Sequence, residues 1–153
     1  MDVNKLVNSI FDNFNKDVVE TLETDVTNVI EDTQIDVIFD KVYENYTPVL
    51  YKRRYENDGL IDRENMNGNV VGNDGTNITY IFENDTKTNP YNDRFLRGFT
   101  GEESLLDMYD EMTMGHLEHT INISQETLNE LEKEDLINKT IKENLKRKGY
   151  NVK

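Results

Sequence analysis

The sequence contains no cysteine, no tryptophan and no alanine, and only two prolines. Without cysteine it can form no disulfide, no thiolate metal site and no cysteine nucleophile. No apolar run approaches the ~20 residues that a membrane-spanning helix needs. The first residues also lack the basic start and the apolar stretch of a signal peptide. We therefore expect a protein that is made and kept in a cytoplasm, without membrane contact.

Basic residues are scarce as well, with 17 Lys and Arg against 31 Asp and Glu and a formal net charge of -14. Residues 101–136 hold 11 acids and one base, whereas residues 41–55 and 137–153 are net basic. So negative a chain is a poor candidate for binding DNA or anionic membranes through bulk charge. The alternating signs allow head-to-tail attraction between copies. The alternative is a surface that merely keeps the protein soluble.

Motifs of catalysis are missing too. The two histidines, His116 and His119, are three residues apart and would share a helix face, where Glu118 or Asp110 could complete a metal site. The spacing is not that of a metalloprotease motif, and exposed surface histidines are far commoner. We find no phosphate-binding glycine loop and no nucleophile elbow. The sequence therefore predicts no enzyme and no cofactor, and a metal hydrolase is the remote alternative.

Residues 3–45 are predicted to form a long amphipathic helix. Apolar residues recur there at three- and four-residue steps and make one stripe. The stripe comprises Val3, Leu6, Val7, Ile10, Phe11, Phe14, Val18, Leu22, Val26, Val29 and Ile30. It loosens around residues 32–34, which indicates a bend or a second helix. A stripe of this length must pack on something, either the protein's own sheet or a neighbouring subunit.

Residues 57–83 are rich in turn signals and are predicted to hold a small antiparallel sheet over 69–83, with 120–123 as a candidate further strand. The Asn73-Asp74-Gly75 turn suits a hairpin. After it, Ile78, Tyr80 and Phe82 alternate with Thr79 and Ile81, so that the first set faces the better-buried side.

Residues 84–101 are predicted to form an exposed loop, which either docks on a partner or folds back on its own core. The C-terminal part, 102–148, is predicted to be helical. It holds a short helical patch at 105–112 and a last helix from Ser124 to Lys148, which Ser124 or Thr127 caps and Gly149 ends. The whole chain, 1–153, then forms a single α+β domain.

The segment from Val42 to Asp62 is the most distinctive, with four tyrosines, a proline and three consecutive bases in an acidic chain. Tyrosine and arginine are enriched where protein surfaces meet. The expected protein interface is therefore Tyr46, Pro48, Tyr51, Arg53, Arg54 and Tyr55, together with Phe95 and Arg97 of the loop. The alternative is that the tyrosines pack under the first helix while the bases pair with acids of the same chain.

These residues carry a resemblance. A long helix is followed by Val-Tyr-x-x-Tyr-x-Pro-x-x-Tyr-x-Arg-Arg from Val42, then by Gly-Leu-x-Asp from Gly59, and then by strands. This order resembles small neck proteins, head–tail connectors or tail-completion proteins, of tailed phages from low-GC Gram-positive hosts. The resemblance rests on residues 43–62 and on the order of elements.

The resemblance implies a virion structural protein that is assembled in the host cytoplasm. Its copies would form a ring that contacts portal or adaptor proteins and tail proteins. DNA would pass through the channel without specific binding.

A different class of protein is the alternative, an acidic phage-encoded inhibitor that mimics DNA and binds a basic host protein. The net charge favours this interpretation, and the basic, tyrosine-rich segment opposes it. A mimic would act as a monomer or dimer, whereas a neck protein would form rings or join the portal or tail.

Overall fold

The computed structural model describes residues 3–45, 54–88, 103–111 and 121–153. Its N-terminal part is one continuous helical run, in which two α-helices are each followed by a π-helical turn. Its remaining parts are a short 3₁₀ turn at Arg63–Asn65, a hairpin of two strands and three shorter helices. In chain order the elements are α1 (Val3–Thr21), a π turn (Leu22–Val26), α2 (Thr27–Ile38), a second π turn (Phe39–Tyr43), β1 (Met66–Asn73), β2 (Ile78–Asn84), α3 (Leu105–Glu111), α4 (Ile123–Lys133) and α5 (Leu136–Arg147). The predicted α+β class, with its long N-terminal helix, small antiparallel sheet and C-terminal helices, is confirmed.

The helical run owes its length to the unbroken apolar stripe and to the absence of proline. It departs from α geometry at the two π turns, and α2 passes without interruption through the region where a bend was expected. The stripe loosens there because Gln34 is buried and hydrogen-bonded to Asn84. A polar residue therefore faces the interior at this point of the helix. Within the described residues, no helix is long and apolar enough to span a membrane.

The hairpin has the predicted turn and the predicted faces. The Asp74 carboxylate accepts hydrogen bonds from the backbone amides of Thr76, at 2.8 Å, and Asn77, at 2.7 Å. These bonds lower the pKa of Asp74. Gly75 has a φ of +84°, which glycine adopts without steric cost. On the inner face of β2, Ile78, Tyr80 and Phe82 are half-buried, and the residues between them are exposed.

Two apolar clusters form the core. The first joins the end of the helical run to the loop before β1 and to the helices α3 and α4. Its buried residues are Val37, Ile38, Val42, Leu60, Ile61, Leu106, Tyr109 and Ile123. The second joins the middle of the run to the sheet and to the last two helices. It comprises buried Val26, Ile30 and Leu131, with Tyr80 and Phe82 packed against them.

The C-terminal helix that was predicted from Ser124 to Lys148 is two helices. They meet at Asp135, which has a left-handed backbone with a φ of 51° that Asp tolerates better than most residues. In a straight helix Leu131 and Ile137 would lie about 120° apart around the axis. The turn at Asp135 lets both side chains reach the same core cluster. Gly149 ends α5 with a φ of +94°, as predicted.

The start of α4 also differs from its prediction. Asn122 is the N-cap and accepts a hydrogen bond from the backbone amide of Gln125 at 2.7 Å. Asp110, from α3, accepts from the backbone amide of Ile123 at 2.5 Å. Ser124 and Thr127, the predicted caps, lie inside the helix. Because Ile123 is the first residue of α4, the candidate strand at 120–123 is wrong at that residue.

The loop that was predicted from residue 84 begins as buried structure. Asn84 ends β2, and Asn84, Thr86 and Thr88 are all buried. Backbone bonds join this stretch to the start of α3: Leu105 donates to the carbonyl of Thr86 at 2.7 Å, and Thr88 donates to that of Glu103 at 2.9 Å. The rest of the predicted loop, from residue 89, lies outside the described residues.

One close approach of backbone to side chains yields a stability prediction. A Cβ at Gly68 would overlap the hydroxyl oxygens of Tyr80 and Thr27, which are hydrogen-bonded to each other at 2.8 Å. We expect Gly68→Ala to lower the free energy of unfolding by about 1–3 kcal/mol, the usual cost of overpacking. Urea unfolding followed by circular dichroism measures this.

The matched control for this substitution is Gly72→Ala, on the same strand. A Cβ there would meet Thr79 at 3.6 Å, an ordinary contact. We expect its unfolding midpoint to stay close to that of the native protein. Equal effects of the two substitutions would contradict the proposed overlap.

Candidate protein-interaction surface

The N-terminal half of α1 is uncovered. The exposed fractions are 42% for Val7, 56% for Ile10 and 63% for Phe11. Because these positions are spaced i, i+3 and i+4, the three side chains lie on one face of the helix. All other residues between Asn4 and Asn13 whose side chains are described are exposed as well. We refer to Val7, Ile10 and Phe11 as the α1 stripe.

The cover on α1 begins at Phe14. The ring of Phe14 contacts that of Tyr150 edge to face, with centroids 5.1 Å apart. One turn further on, Asp17 accepts hydrogen bonds from the Tyr150 hydroxyl at 2.6 Å and from the Lys148 ammonium at 3.0 Å. Lys148 also donates to Glu20 at 2.9 Å. We call these five residues the C-terminal clasp, since they hold the C-terminus against α1.

The clasp is reflected in the titration of its members. The Tyr150 hydroxyl and the Lys148 ammonium hold the pKa of Asp17 below its ordinary value. In return, the carboxylates of Glu20 and Asp17 raise the pKa of Lys148, and Asp17 raises the pKa of Tyr150. All three shifts favour the charge state that makes the contacts, so the clasp is intact around neutral pH.

The segment around the α1 stripe differs in charge from the rest of the chain. Residues 3–16 contain two lysines, Lys5 and Lys16, and one acid, Asp12. This segment is therefore slightly basic in a protein of net charge -14. A partner surface that is acidic at its edges would be attracted to it and not repelled.

A cleft of about 680 Å³ lies between α2, β2 and the C-terminal helices. Its apolar lining is formed by Ile30, Tyr80, Phe82, Leu106, Leu128, Leu131 and Ile137. Leu128 is 49% exposed, so part of this apolar surface is open to solvent. Among the described residues, three acids and no base line the cleft, namely Glu83, Asp85 and Asp107. One of the three, Asp85, forms a salt bridge with Lys87.

Two of the eight residues in the predicted interface are described by the structure. Arg54 donates to the backbone carbonyl of Lys87 at 2.6 Å and to the Asp58 carboxylate at 3.2 Å. The ring of Tyr55 packs edge to face on Tyr43, at a centroid distance of 5.0 Å. Both side chains thus make contacts within the chain, as the alternative interpretation of this segment expects.

The other six residues of the predicted interface lie outside the described residues, so their part in an interface stays a prediction. They are Tyr46, Pro48, Tyr51, Arg53, Phe95 and Arg97.

The histidine pair considered for metal binding, His116 and His119, also lies outside the described residues. Among residues 3–45, 54–88, 103–111 and 121–153, no group of three or more His, Cys, Asp or Glu side chains is arranged to hold a metal ion.

The chain matches the model of the YomN family over residues 2–147. It belongs to the YomN family. YomN is the name of a Bacillus phage-derived protein, so membership of the family indicates a phage-related protein. This agrees with the phage origin that the resemblance implies. No curated protein and no solved structure is significantly similar to the chain.

The sequence revealed the α1 stripe but not its exposure. The sequence does hold one signal of this exposure. A helix that packs on its own core carries apolar residues beside its central stripe, whereas the positions that border the stripe of α1 are Asn4, Asn8 and Asn15. The cleft was missed entirely. Its walls come from four separate parts of the chain, and no local pattern records how they meet.

The clasp predicts a pH dependence. Since the folded-state pKa of Asp17 is depressed, its contribution is present above the ordinary pKa near 4 and is lost as the pH falls through the folded value. We expect Asp17→Asn to lower the urea midpoint at pH 7. The difference from the native protein should shrink towards pH 3, as measured by circular dichroism.

Asp12→Asn is the control, because it removes the same charge from the exposed part of the same helix. Its midpoint should stay near the native value at both pH values. If Asp17→Asn behaved like Asp12→Asn at pH 7, the clasp would add nothing to stability.

Proposed function

We propose that this phage-related protein is a structural component of the virion neck, a head–tail connector or tail-completion protein. It acts by ring assembly and by contacts with portal or adaptor and tail proteins, and it needs neither a cofactor nor a catalytic step. The observation that carries the proposal is the uncovered α1 stripe. Membership of a phage-related family and the order of helix and sheet support it.

The argument from the stripe is energetic. Burying one Val, Ile or Phe side chain contributes about 1.5–3 kcal/mol. Scattered apolar side chains are normal on a protein surface, but a contiguous patch indicates a binding site. Val7, Ile10 and Phe11 form such a patch at one end of a rigid helix. Because the three side chains are 42%, 56% and 63% exposed, a protein surface that covers them would gain roughly one and a half times that contribution.

The shape of the helical run suits an assembly protein. From Val3 to Tyr43 it extends over about 60 Å, at 1.5 Å a residue. The half from Leu22 onward packs on the sheet and on the C-terminal helices, and the clasp covers α1 from Phe14 to Glu20. The residues before Phe14 reach beyond this cover. An arm of this kind lets one copy contact a neighbour at a fixed distance.

The net charge fits a protein that surrounds passing DNA. Carboxylates that faced the channel would repel phosphates, so that DNA would slide without binding. The proposal thus uses the same charge that weighs against nucleic-acid binding.

The proposal predicts that Phe11→Asp prevents self-association. The change places a charge in the centre of the stripe, at a residue that is 63% exposed, so the fold tolerates it. We expect the native protein to increase in mass with concentration in light scattering, and the variant to stay a monomer over the same range. In phage particles, the variant should leave heads unjoined to tails.

Val71→Asp is the matched control. Val71 is 59% exposed on the outer face of β1, so the change adds the same charge at similar exposure. It should assemble as the native protein does. Equal assembly of native protein and Phe11→Asp, in solution and in particles, would overturn the proposal.

The second candidate, an acidic inhibitor that mimics DNA, is favoured by one observation. A groove of about 280 Å³ between α2 and α4 is bordered by carboxylates at helical spacing on both walls. They are Asp36 on α2 and Asp40 on the π turn after it, and Glu126, Glu130 and Glu134 at the other wall. An inhibitor would bind a basic protein as a monomer or dimer. Added salt would weaken that binding, whereas Phe11→Asp would not.

A further inference from the structure

We propose that the α1 stripe of one copy binds in the apolar cleft of the next copy, so that the protein assembles head to tail. This inference rests on the proposed function and names the partner surface. The two surfaces lie on different parts of the same chain: Val7, Ile10 and Phe11 on α1, and Tyr80, Phe82 and Leu128 in the cleft.

The stripe does not fill the cleft of its own chain. The helical run is continuous from Val3, and the clasp fixes α1 against the end of α5. The cleft opens among α2, β2, α3 and α4. For α1 to fold back into it, the helix would have to break. An α1 stripe that occupies the cleft must therefore come from a second molecule.

The spacing of the stripe fits a groove. Helices that bind in apolar grooves anchor themselves through side chains at i, i+3, i+4 and i+7. Val7, Ile10, Phe11 and Phe14 have this spacing, and the first three are exposed. The cleft offers both aromatic and aliphatic side chains to such anchors, and Leu128 exposes half of its surface there.

Charge complementarity selects a second copy as the partner. The α1 segment carries Lys5 and Lys16 against Asp12, and the described lining of the cleft carries Glu83, Asp85 and Asp107 and no base. Two α1 segments facing each other would bring together two slightly basic surfaces. A stripe in a cleft brings a basic segment to an acidic one, which favours association and fixes its direction.

The geometry of such a contact explains ring growth. A contact between two different surfaces leaves one stripe and one cleft open after each addition. The chain of copies then grows, and it closes into a ring when the rotation from one copy to the next divides a full turn. Pairing of stripe with stripe would be symmetric and would stop at a dimer.

The test uses the absence of native cysteine. One variant carries Ile10→Cys in the stripe and a second carries Leu128→Cys in the cleft, both at exposed positions. The two full-length variants, made distinguishable in mass by a tag, are mixed in equal amounts at an assembling concentration and oxidised. We expect the mixed disulfide dimer as the main product, with either homodimer at background level. Val71→Cys in place of either variant should give background only.

A second experiment mixes Phe11→Asp with Leu128→Asp. Each variant alone should be a monomer. The mixture should give a dimer of doubled mass and nothing larger, since one intact stripe and one intact cleft remain to meet. This pattern arises only if stripe and cleft bind each other.

Two outcomes would overturn the inference and leave the proposed function standing. A main product of Ile10→Cys homodimer would show symmetric pairing of stripes. The second outcome combines three results: the native protein assembles, the cysteine variants cross-link only at background level, and the mixture of the two aspartate variants stays monomeric. It would show that another surface holds the ring together. Native protein that stays monomeric in solution and is missing from particles would overturn both.

Discussion

A buried amide, that of Asn84, sets the relation between the helical run and the sheet. Its nitrogen donates to the side-chain carbonyl of Gln34 and to the backbone carbonyl of Leu60, both at 2.9 Å, and its oxygen accepts from the Thr86 hydroxyl at 2.7 Å. A buried polar group without partners costs more than its hydrogen bonds return. Only the register that brings these groups together satisfies them all. The same register places Tyr80 and Phe82 over the second core cluster, where they form a wall of the cleft.

From this constraint follows the division of the apolar stripe into two halves with different roles. Within the described part of the chain the sheet is two strands wide, and in its register it covers the helical run from Leu22 onward. The clasp at Phe14 and Asp17 extends the cover by about two turns, using the C-terminus in place of a third strand. What lies before Phe14 keeps the same apolar periodicity without a core to pack on. One apolar pattern in the sequence therefore packs on the core over part of its length and stays exposed before Phe14.

The fold could be predicted where its signals are local. The hairpin at Asp74 and the end of α5 at Gly149 depend on residues a few positions apart, and both were predicted. The break at Asp135 and the capping of α4 by Asp110 depend on how distant elements meet, so the local pattern predicts an unbroken helix from Ser124. The polar stretch after Asn84 reads in sequence as exposed loop, because polar residues are usually exposed. It is buried because its partners come from other elements.

The candidate site could be predicted only in part, again because local patterns do not report how distant elements meet. Helical periodicity reports which face of α1 is apolar, but coverage depends on the width of the sheet and on where the C-terminus lies. Aromatic and basic composition directed attention to the segment around Arg54 and Tyr55, whose side chains are engaged within the chain. A segment rich in tyrosine and arginine can make many contacts. Whether those contacts form within the chain or with another protein depends on the fold. In this chain the internal contacts at Tyr55 hold the end of the helical run in place, and the opposite end of that run is the one left open to a neighbour.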